Sequence, residues 1–235
     1  MATPSEAVRT QLAVVTAAAV ADLTAETAQV ALERQAAVLL ASLPLVVPSY
    51  YDAAGALAVM WYDELREESR PSTLYVPEIV GDPATDWIER EAETFRRSLE
   101  GVDFEAQMAS MVDEITRLAE KEVARGFRDS ITGNTRQDRE AIGWSRVTRP
   151  GACKFCLMLA GKGSVYRSES TAIFAAHGNC HCAARPEFRN GEHGPEATAI
   201  QYVASSRRAR DDRTQAARNA QVRKYLNANF PDARG

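Results

Sequence analysis

The feature that most constrains the fold of this chain is a short segment that contains all four of its cysteines and two of its three histidines. Cys153 and Cys156 form a C-x2-C pair. After 20 intervening residues come two further thiols and two imidazoles, at His177, Cys180, His181 and Cys182. Thiolates and imidazoles with this spacing are typical ligands of a tetrahedral zinc ion. The pattern therefore predicts a small module that is held together by a metal.

A structural zinc ion needs only four ligands, and the segment offers six candidates. The two intervening residues of the first pair allow Cys153 and Cys156 to bind one ion. The same spacing favours His177 and Cys180 as the second pair. A closed shell of three thiolates and one imidazole leaves no position for water or substrate, so the predicted zinc is structural. Free or disulfide-bonded thiols are the alternative to a metal site. The alternate ligands, in order of preference, are Cys182 and His181.

Known catalytic metal motifs are missing from the sequence. Zinc deaminases place H-x-E before P-C-x-x-C, whereas here C-x-x-C comes first and no H-x-E exists. The H-E-x-x-H, P-loop and G-x-S-x-G motifs are also missing. No carboxylate directly adjoins His177 or His181. We therefore expect a protein that is not an enzyme. A zinc-dependent nuclease and a cellular zinc-module DNA-binding protein remain as alternatives.

Composition favours a folded protein in a reducing compartment. The chain has 235 residues, of which 45% are hydrophobic, enough for one domain or two small ones. No charge-free apolar stretch reaches the roughly 18 residues that a membrane span requires, so we expect no membrane contact. The N-terminus lacks the basic start and apolar block of a secretory signal. In an intracellular setting, clustered thiols are more often metal ligands than disulfides.

Charge is distributed unevenly along the chain. Residues 1–143 carry a net charge of −12, and residues 144–235 carry +8. The basic half is suited to a polyanion such as double-stranded DNA, bound without sequence specificity. Two acidic residues, Asp211 and Asp212, interrupt the basic positions, so a merely solvated helix is an equal alternative. The candidate DNA contacts are Arg207, Arg208, Arg210, Arg213, Arg218, Arg223 and Lys224.

Hydrophobic periodicity predicts that the N-terminal part of the chain is mainly helical. One helix is expected from Ser5 to about Leu43, ended by Pro44, and a second from Pro48 to about Arg70. An extended connection over 72–81 precedes a third helix over 82–101. A fourth begins at Asp103, carries an apolar stripe through Met108, Ile115 and Phe127, and ends at 132–135. The stripe is predicted to be core.

The sequence pattern changes after Gly143. Short strands are predicted at 144–148 and 164–167, on either side of the first cysteine pair. A final helix is predicted from about Glu196 to Asn229. The expected fold class is therefore α+β and mainly α, with long helices, then a zinc-stabilised module containing β-strands, then a C-terminal helix. The expected regions are 1–143, 144–190 and 191–235.

The stretch from Trp144 to Phe188 resembles the MuF-like minor capsid, or head morphogenesis, proteins of tailed bacteriophages. The resemblance rests on the C-x2-C pair, the following run 157–161, Val165-Tyr166 and the terminal element 177–182. Gly178 stands where the family usually has proline, and His181 where it usually has arginine. The specific motifs cover about a fifth of the chain, on the scale of one small domain.

This resemblance implies a structural role in the phage virion. It implies a minor internal head protein near the portal or connector, acting in head assembly and in genome packaging or ejection. Its implied partners are the portal protein and the major capsid protein, with packaged double-stranded DNA as a non-specific contact. Amphipathic N-terminal helices would suit a helical partner or further copies of the chain. The host cytoplasm is the implied location during assembly.

Overall fold

The computed structural model describes residues 4–25, 27, 30, 32–98, 104–148, 154–160 and 183–190, and six single positions after residue 216. These residues form a mainly helical α+β protein with a small two-stranded sheet, as the sequence predicts. The helices and strands of the continuous ranges are α1 (Pro4–Ala25), α2 (Leu32–Glu68), α3 (Thr85–Ser98), α4 (Phe104–Gln137), β1 (Ala141–Val147), α5 (Lys154–Ala160) and β2 (Ala183–Phe188).

The chain divides into two compact units. Unit 1 consists of Met1–Ala58 and Ile79–Ser130, and unit 2 consists of Val59–Glu78 and Ile131–Gly235. The long helices α2 and α4 therefore contribute residues to both units. The predicted boundaries at 143 and 190 remain predictions.

Unit 1 is built around an apolar helical core. Residues at helical spacing on α2, among them Leu39, Leu43 and Val47, are almost completely buried. They cluster with Leu23 of α1, Ile88 of α3 and apolar residues of α4. The predicted stripe of α4 also includes Leu118, Val123 and Ile131. It is confirmed as core at the buried positions Ile115, Val123, Phe127 and Ile131, and Leu118 is partly buried.

Within unit 1, α2 and α4 approach each other closely at a glycine. A Cβ atom added to Gly126 would lie 2.3 Å from the main-chain oxygen of Tyr51. Only a residue without a side chain leaves room for that carbonyl group. Gly126 is therefore required by packing, although glycine is a weak helix former.

The predicted first helix is wrong in two respects. The structure has two helices, α1 and α2, where one was predicted, and α2 continues through Pro44 and Pro48. Each proline removes one helical hydrogen bond at a cost of about 3 kcal/mol. Ending the helix at Leu43 would, however, break the buried stripe that continues through Val47 and Tyr51. Tertiary packing therefore overrides the local signal.

The same helix changes the expectation about membranes. Ala37–Glu68 is long and apolar enough to cross a membrane by length and composition, contrary to the sequence prediction that no stretch qualifies. Core helices of water-soluble proteins meet the same criterion, so this is weak support for a span. Part of the apolar character of α2 comes from Leu39, Leu43 and Val47, which are buried in the core of unit 1.

The predicted end of α4 at 132–135 is also wrong, because the helix continues to Gln137. Thr132, Asn134 and Thr135 are buried. The Thr135 hydroxyl donates to the main-chain oxygen of Ile131 at 2.7 Å, and the Asn134 amide binds the main chain of Glu78. Partners of this kind allow residues that usually favour turns to lie inside a helix.

In unit 2, residues 72–78 form a connection outside any helix or strand, with a bend at Ser72 and Thr73. Side chains of the long helices, and of Glu140 in the turn after α4, hold its main chain. Asn134 Nδ2 donates to the oxygen of Glu78 at 2.7 Å, and the amide of Glu78 donates to Asn134 Oδ1 at 3.0 Å. Arg66 Nη2 donates to the oxygen of Thr73 at 2.6 Å, and the Ser72 amide donates to Glu140 Oε1 at 3.0 Å.

The predicted strand at 144–148 corresponds to β1, which begins three residues earlier and ends at Val147. The second predicted strand, 164–167, lies outside the described residues. The strand β2, which begins directly after the last cysteine, was not predicted from the sequence.

Candidate functional site

The described frame of the candidate site is the antiparallel ladder of β1 and β2. Val147 pairs with Ala183 and Ser145 pairs with Arg185, and an irregularity lies between Ala141 and Gly143. Gly143 has φ = 151°, a backbone conformation that favours glycine. Every residue of β2 is buried. The ladder is therefore an interior element whose register is fixed from Gly143 to Val147.

One predicted metal ligand lies within the described residues. Cys156 is on α5, a helix that packs against β1, and only 3% of this cysteine is exposed. A buried thiol on a short helix is compatible with a ligand that faces the interior of a small module.

The other predicted ligands lie outside the described residues: Cys153, His177, Cys180 and the alternates Cys182 and His181. Among the residues that the structure does describe, no group of three or more His, Cys, Asp or Glu side chains could hold a metal ion. The zinc site therefore remains a prediction.

A buried polar triad lies on the ladder itself. Ser145 on β1 donates to Glu187 on β2, and Arg185 Nη1 lies 3.3 Å from each carboxylate oxygen of Glu187. The Arg185 side chain is 7% exposed and that of Glu187 is fully buried. The Nε atom of Arg185 is also buried and has no hydrogen-bond partner among the residues that the structure describes. An anion next to this strand would satisfy that donor.

The chemistry of these residues fits a zinc-thiolate group. Thiolate and imidazole are the ligands that zinc prefers, and three thiolates would make the centre negatively charged overall. The buried, unsatisfied N–H group of Arg185 is a donor suited to such a centre. Cys153, Cys156, His177 and Cys180 would hold the ion, with Cys182 as the alternate fourth ligand.

A second buried polar cluster in unit 2 surrounds Asp138. Its Oδ2 atom accepts hydrogen bonds from Arg66 Nε at 2.7 Å and from the Tyr62 hydroxyl at 3.2 Å. Burial, followed by the charge of Asp138, raises the pKa of Tyr62 far above its ordinary value. Tyr62 therefore stays protonated and acts as a donor. Its ring also packs edge-on against Phe188 of β2, with centroids 5.4 Å apart.

Unit 1 contains a more exposed cluster around Arg125. Its guanidinium binds Glu122, Asp129 and the main-chain oxygen of Asp82, each at 2.8 Å. It also lies 4.8 Å from the centre of the Tyr51 ring. Burial alone would lower the pKa of Arg125, but the charge and hydrogen bond of Glu122, followed by the charge of Asp129, outweigh it and raise the pKa. This cluster joins α2, α4 and the residues before α3.

Neither of these clusters nor the triad was predicted from the sequence. Their charged residues resemble ordinary surface charges when only the sequence is considered. One available signal was the alternation in β2, where Arg185 and Glu187 lie two residues apart among apolar neighbours. Side chains two apart on a strand share a face, so an Arg and a Glu there can pair.

The predicted DNA-contact residues lie outside the described residues, with one exception. Lys224 is helical and exposed, as are Ala217, Ala220, Asn227 and Ala228. These positions agree with the predicted C-terminal helix, and contact with DNA remains a prediction.

Comparison with known protein families gives a match over most of the chain. A family model described as VG15 protein matches residues 1–226. No curated protein and no solved structure matches the chain.

Proposed function

Because the chain belongs to the VG15 protein family, a family of phage proteins, we propose that it is a minor structural protein of the phage head. In this proposal a structural zinc ion holds the segment between β1 and β2, and the protein acts in head assembly rather than in catalysis. The family match supports a phage protein. The narrower assignment to the head rests on the resemblance of residues 144–188 to MuF-like minor capsid proteins.

The observation that carries the zinc assignment is the way in which the described frame brackets the Cys and His residues. Cys153 directly precedes α5, which packs against β1. Cys182 lies at the other end of the segment. It directly precedes Ala183, which pairs with Val147 of β1. Both ends of the segment are therefore tethered to the same strand. This tethering lowers the entropy cost of bringing two ligand pairs to one ion.

The proposed metal is structural because four protein ligands complete its shell. Three thiolates from Cys153, Cys156 and Cys180 and the imidazole of His177 would leave no open position. Residues 149–182 form a short segment, so metal binding would contribute folding free energy that a core of this size does not supply.

The proposed location is the interior of the phage head near the portal, after assembly in the host cytoplasm. The portal protein is the proposed main partner, and the major capsid protein is a further one. Exposed apolar side chains on the N-terminal helices, such as Val14 and Leu45, offer contact area for a helical partner or for another copy. The basic residues 207–224 would contact packaged DNA without sequence specificity.

Mass spectrometry of purified virions, combined with elemental analysis of the recombinant protein, tests the proposal. We expect peptides of this chain at low copy number in virions and about one zinc ion per chain. A Cys153→Ser, Cys156→Ser double variant should lose the zinc. Absence of the protein from virions that contain all major head proteins would contradict the head assignment, and a metal-free wild type would contradict the zinc assignment.

A nicking assay separates the structural role from a nuclease. The assay compares wild type and His177→Ala on supercoiled plasmid, with and without chelator. His193→Ala is the matched control, because His193 is outside the predicted ligand set. We expect no metal-dependent nicking by any of the three proteins. Nicking that His177→Ala abolishes and His193→Ala retains would replace the structural role with a catalytic one.

A further inference from the structure

The exposed face of α2 has charges only at its two ends over a long stretch. Residues 35–51 contain no charged side chain. Arg34 precedes this stretch directly and Asp52 follows it directly, and both side chains are exposed. No hydrogen bond or ion pair joins either of them to another residue that the structure describes. Both charges are therefore available to a partner.

The exposed residues between these charges lie on one side of the helix. They recur at steps of three and four residues, which is the spacing of one helix face. Leu45, near the middle, is 77% exposed, and a large apolar side chain at that position offers contact area. We call this face the α2 stripe, and its members are Arg34, Ala37, Ala41, Leu45, Ser49 and Asp52.

The α2 stripe is complementary to itself about position 43. Arg34 and Asp52 each lie nine residues from that position, and Ala41 and Leu45 each lie two residues from it. A two-fold axis at this position would bring Arg34 of each copy to Asp52 of the partner subunit. It would also place the small Ala41 beside the large Leu45 in each of the two central layers. A parallel pair would instead bring like charges together, so charge and size both favour an antiparallel contact.

We propose that the α2 stripe is a homodimer interface, in which two copies of α2 pack antiparallel across a two-fold axis at position 43. Leu45 supplies the main apolar contact, and Ala41 allows the two helices to approach closely. Exposed ion pairs contribute little affinity, but they set orientation and register. A single helix pair is smaller than a standard protein interface, so the dimer is expected to be weak.

This dimer narrows the contact proposed above for the N-terminal helices to another copy of the chain. It needs neither the zinc ion nor a location in the phage head. Failure of the dimer would therefore leave the virion and zinc measurements unaffected, and failure of those measurements would leave the dimer unaffected.

Sedimentation equilibrium of the full chain, from about 1 µM to about 1 mM, tests the dimer. We expect the wild type to change from monomer to dimer over this range, and Leu45→Glu to weaken the dimer about 10-fold or more. Met60→Glu is the matched control, because Met60 is 71% exposed on the same helix beyond Asp52, and it should match wild type. A wild type that stays monomeric, or a dimer that Leu45→Glu leaves intact, would overturn the proposal.

Charge variants test the register of the two helices. Asp52→Arg would place two arginines together at both ends of the interface, so we expect a dimer that is about 10-fold weaker. Adding Arg34→Asp restores opposite charges at both ends, and the double variant should return to within about 3-fold of wild type. A double variant as weak as Asp52→Arg would contradict the antiparallel register.

A cross-link of zero length gives a geometric readout. Arg34→Lys keeps the positive charge and introduces an amine, which a carbodiimide can join to the Asp52 carboxylate as an amide. The two positions are about 27 Å apart along one helix, so a link between them must join two copies. We expect this linked peptide in the mass spectrum, and much less of it when Leu45→Glu is added. Its absence from a sample that sediments as a dimer would overturn the arrangement.

A lipid surface is the other occupant to test, because Ala37–Glu68 is long and apolar enough to cross a membrane. Flotation with phosphatidylcholine vesicles compares wild type and Leu45→Glu. We expect neither protein to float with the vesicles. Flotation of wild type alone, without a dimer in solution, would replace the homodimer by a membrane contact.

Discussion

The two units differ in how many polar side chains they bury among the described residues. The core of unit 1 is an apolar cluster of leucine, isoleucine, valine and alanine on four helices. The described interior of unit 2 combines apolar side chains, such as Trp144 and Phe188, with more buried ion pairs and hydrogen bonds, including Arg66 with Asp138 and Arg185 with Glu187. Apolar packing tolerates changes of shape that keep the volume, but a buried polar network depends on every partner. We therefore expect unit 2 to be the more sensitive to single substitutions of polar residues.

The largest loss of stability is expected for a substitution at Asp138, which tests whether unit 2 is the more sensitive unit. Asp138→Ala removes the acceptor of both Arg66 and Tyr62 and leaves a buried guanidinium without its partner. The expected loss in the free energy of unfolding is about 3–5 kcal/mol. Chemical denaturation followed by circular dichroism measures it. Asp63→Ala, an exposed position on α2, is the matched control and should change little.

A double variant sharpens the same prediction. Arg66→Met combined with Asp138→Leu replaces the buried ion pair by apolar groups, which costs much less than breaking the pair. If the double variant is no more stable than Asp138→Ala, the charges are not the reason for the sensitivity of unit 2.

The corresponding change in unit 1 is Leu43→Ala. Leu43 is fully buried in the apolar cluster, so truncation leaves a cavity and should lower the free energy of unfolding by about 2–5 kcal/mol. Leu45 lies two residues later on the same helix and is 77% exposed. Leu45→Ala should therefore stay within about 0.5 kcal/mol of wild type in the same denaturation assay. Equal losses in the two variants would contradict the assignment of the buried face of α2.

A smaller effect is expected at Asn134 in unit 2. Asn134→Ala removes the amide that binds the main chain of Glu78 and the hydroxyl of Tyr75. We expect a loss of about 1–3 kcal/mol and faster proteolysis within residues 72–78. Gln137→Ala, an exposed change on the same helix, is the control. Cleavage at the wild-type rate in Asn134→Ala would mean that the amide does not hold this connection.

The smallest effect concerns Glu140 and pH. Hydrogen bonds from Ser72 lower the pKa of Glu140 below its ordinary value. The stabilisation that ionised Glu140 gives to the folded state is therefore present above the pKa of an unfolded glutamate, about 4.3. It is lost as the pH falls through the lower pKa of the folded state. Glu140→Gln should reduce the acid-side decline of the melting temperature, and Glu68→Gln should not. An identical pH profile for Glu140→Gln and wild type would contradict this contribution.

The apolar part of the fold was largely predictable from the sequence. The stripe on α4 with Ile115 and Phe127 follows helical spacing, and spacing alone places such residues on one face. The helix ends were less predictable. Pro44 and the 132–135 segment are local stop signals, and the energy that overrides them comes from residues far away in the chain, such as Ile88 packing on α2 and Glu78 binding Asn134.

The candidate site also has one part that the sequence predicts and another that it does not. The C-x2-C pair has a spacing that is specific enough to predict metal binding from the sequence alone. The roles of Arg185 and Asp138 depend on partners 40 or more residues away, such as Ser145 for the triad and Arg66 for Asp138. Charge and propensity at a single position contain no information about such partners. The strand β2 was missed because Pro186 and two charged residues lie within it.

The connection 72–78 has a consequence for how this protein exchanges its amide protons with solvent. Side chains of α4 and of the turn after it accept hydrogen bonds from the amides of Glu78 and Ser72. No hydrogen bond joins the amides of Leu74 or Val76 to other described residues, and the side chains of these two residues are fully or largely exposed. Slow exchange is therefore expected at Ser72 and Glu78, the two ends of the segment, and fast exchange at Leu74 and Val76 between them. Single side chains would thus protect the ends of a segment that has no regular secondary structure, in the way that a neighbouring strand protects the amides of a sheet.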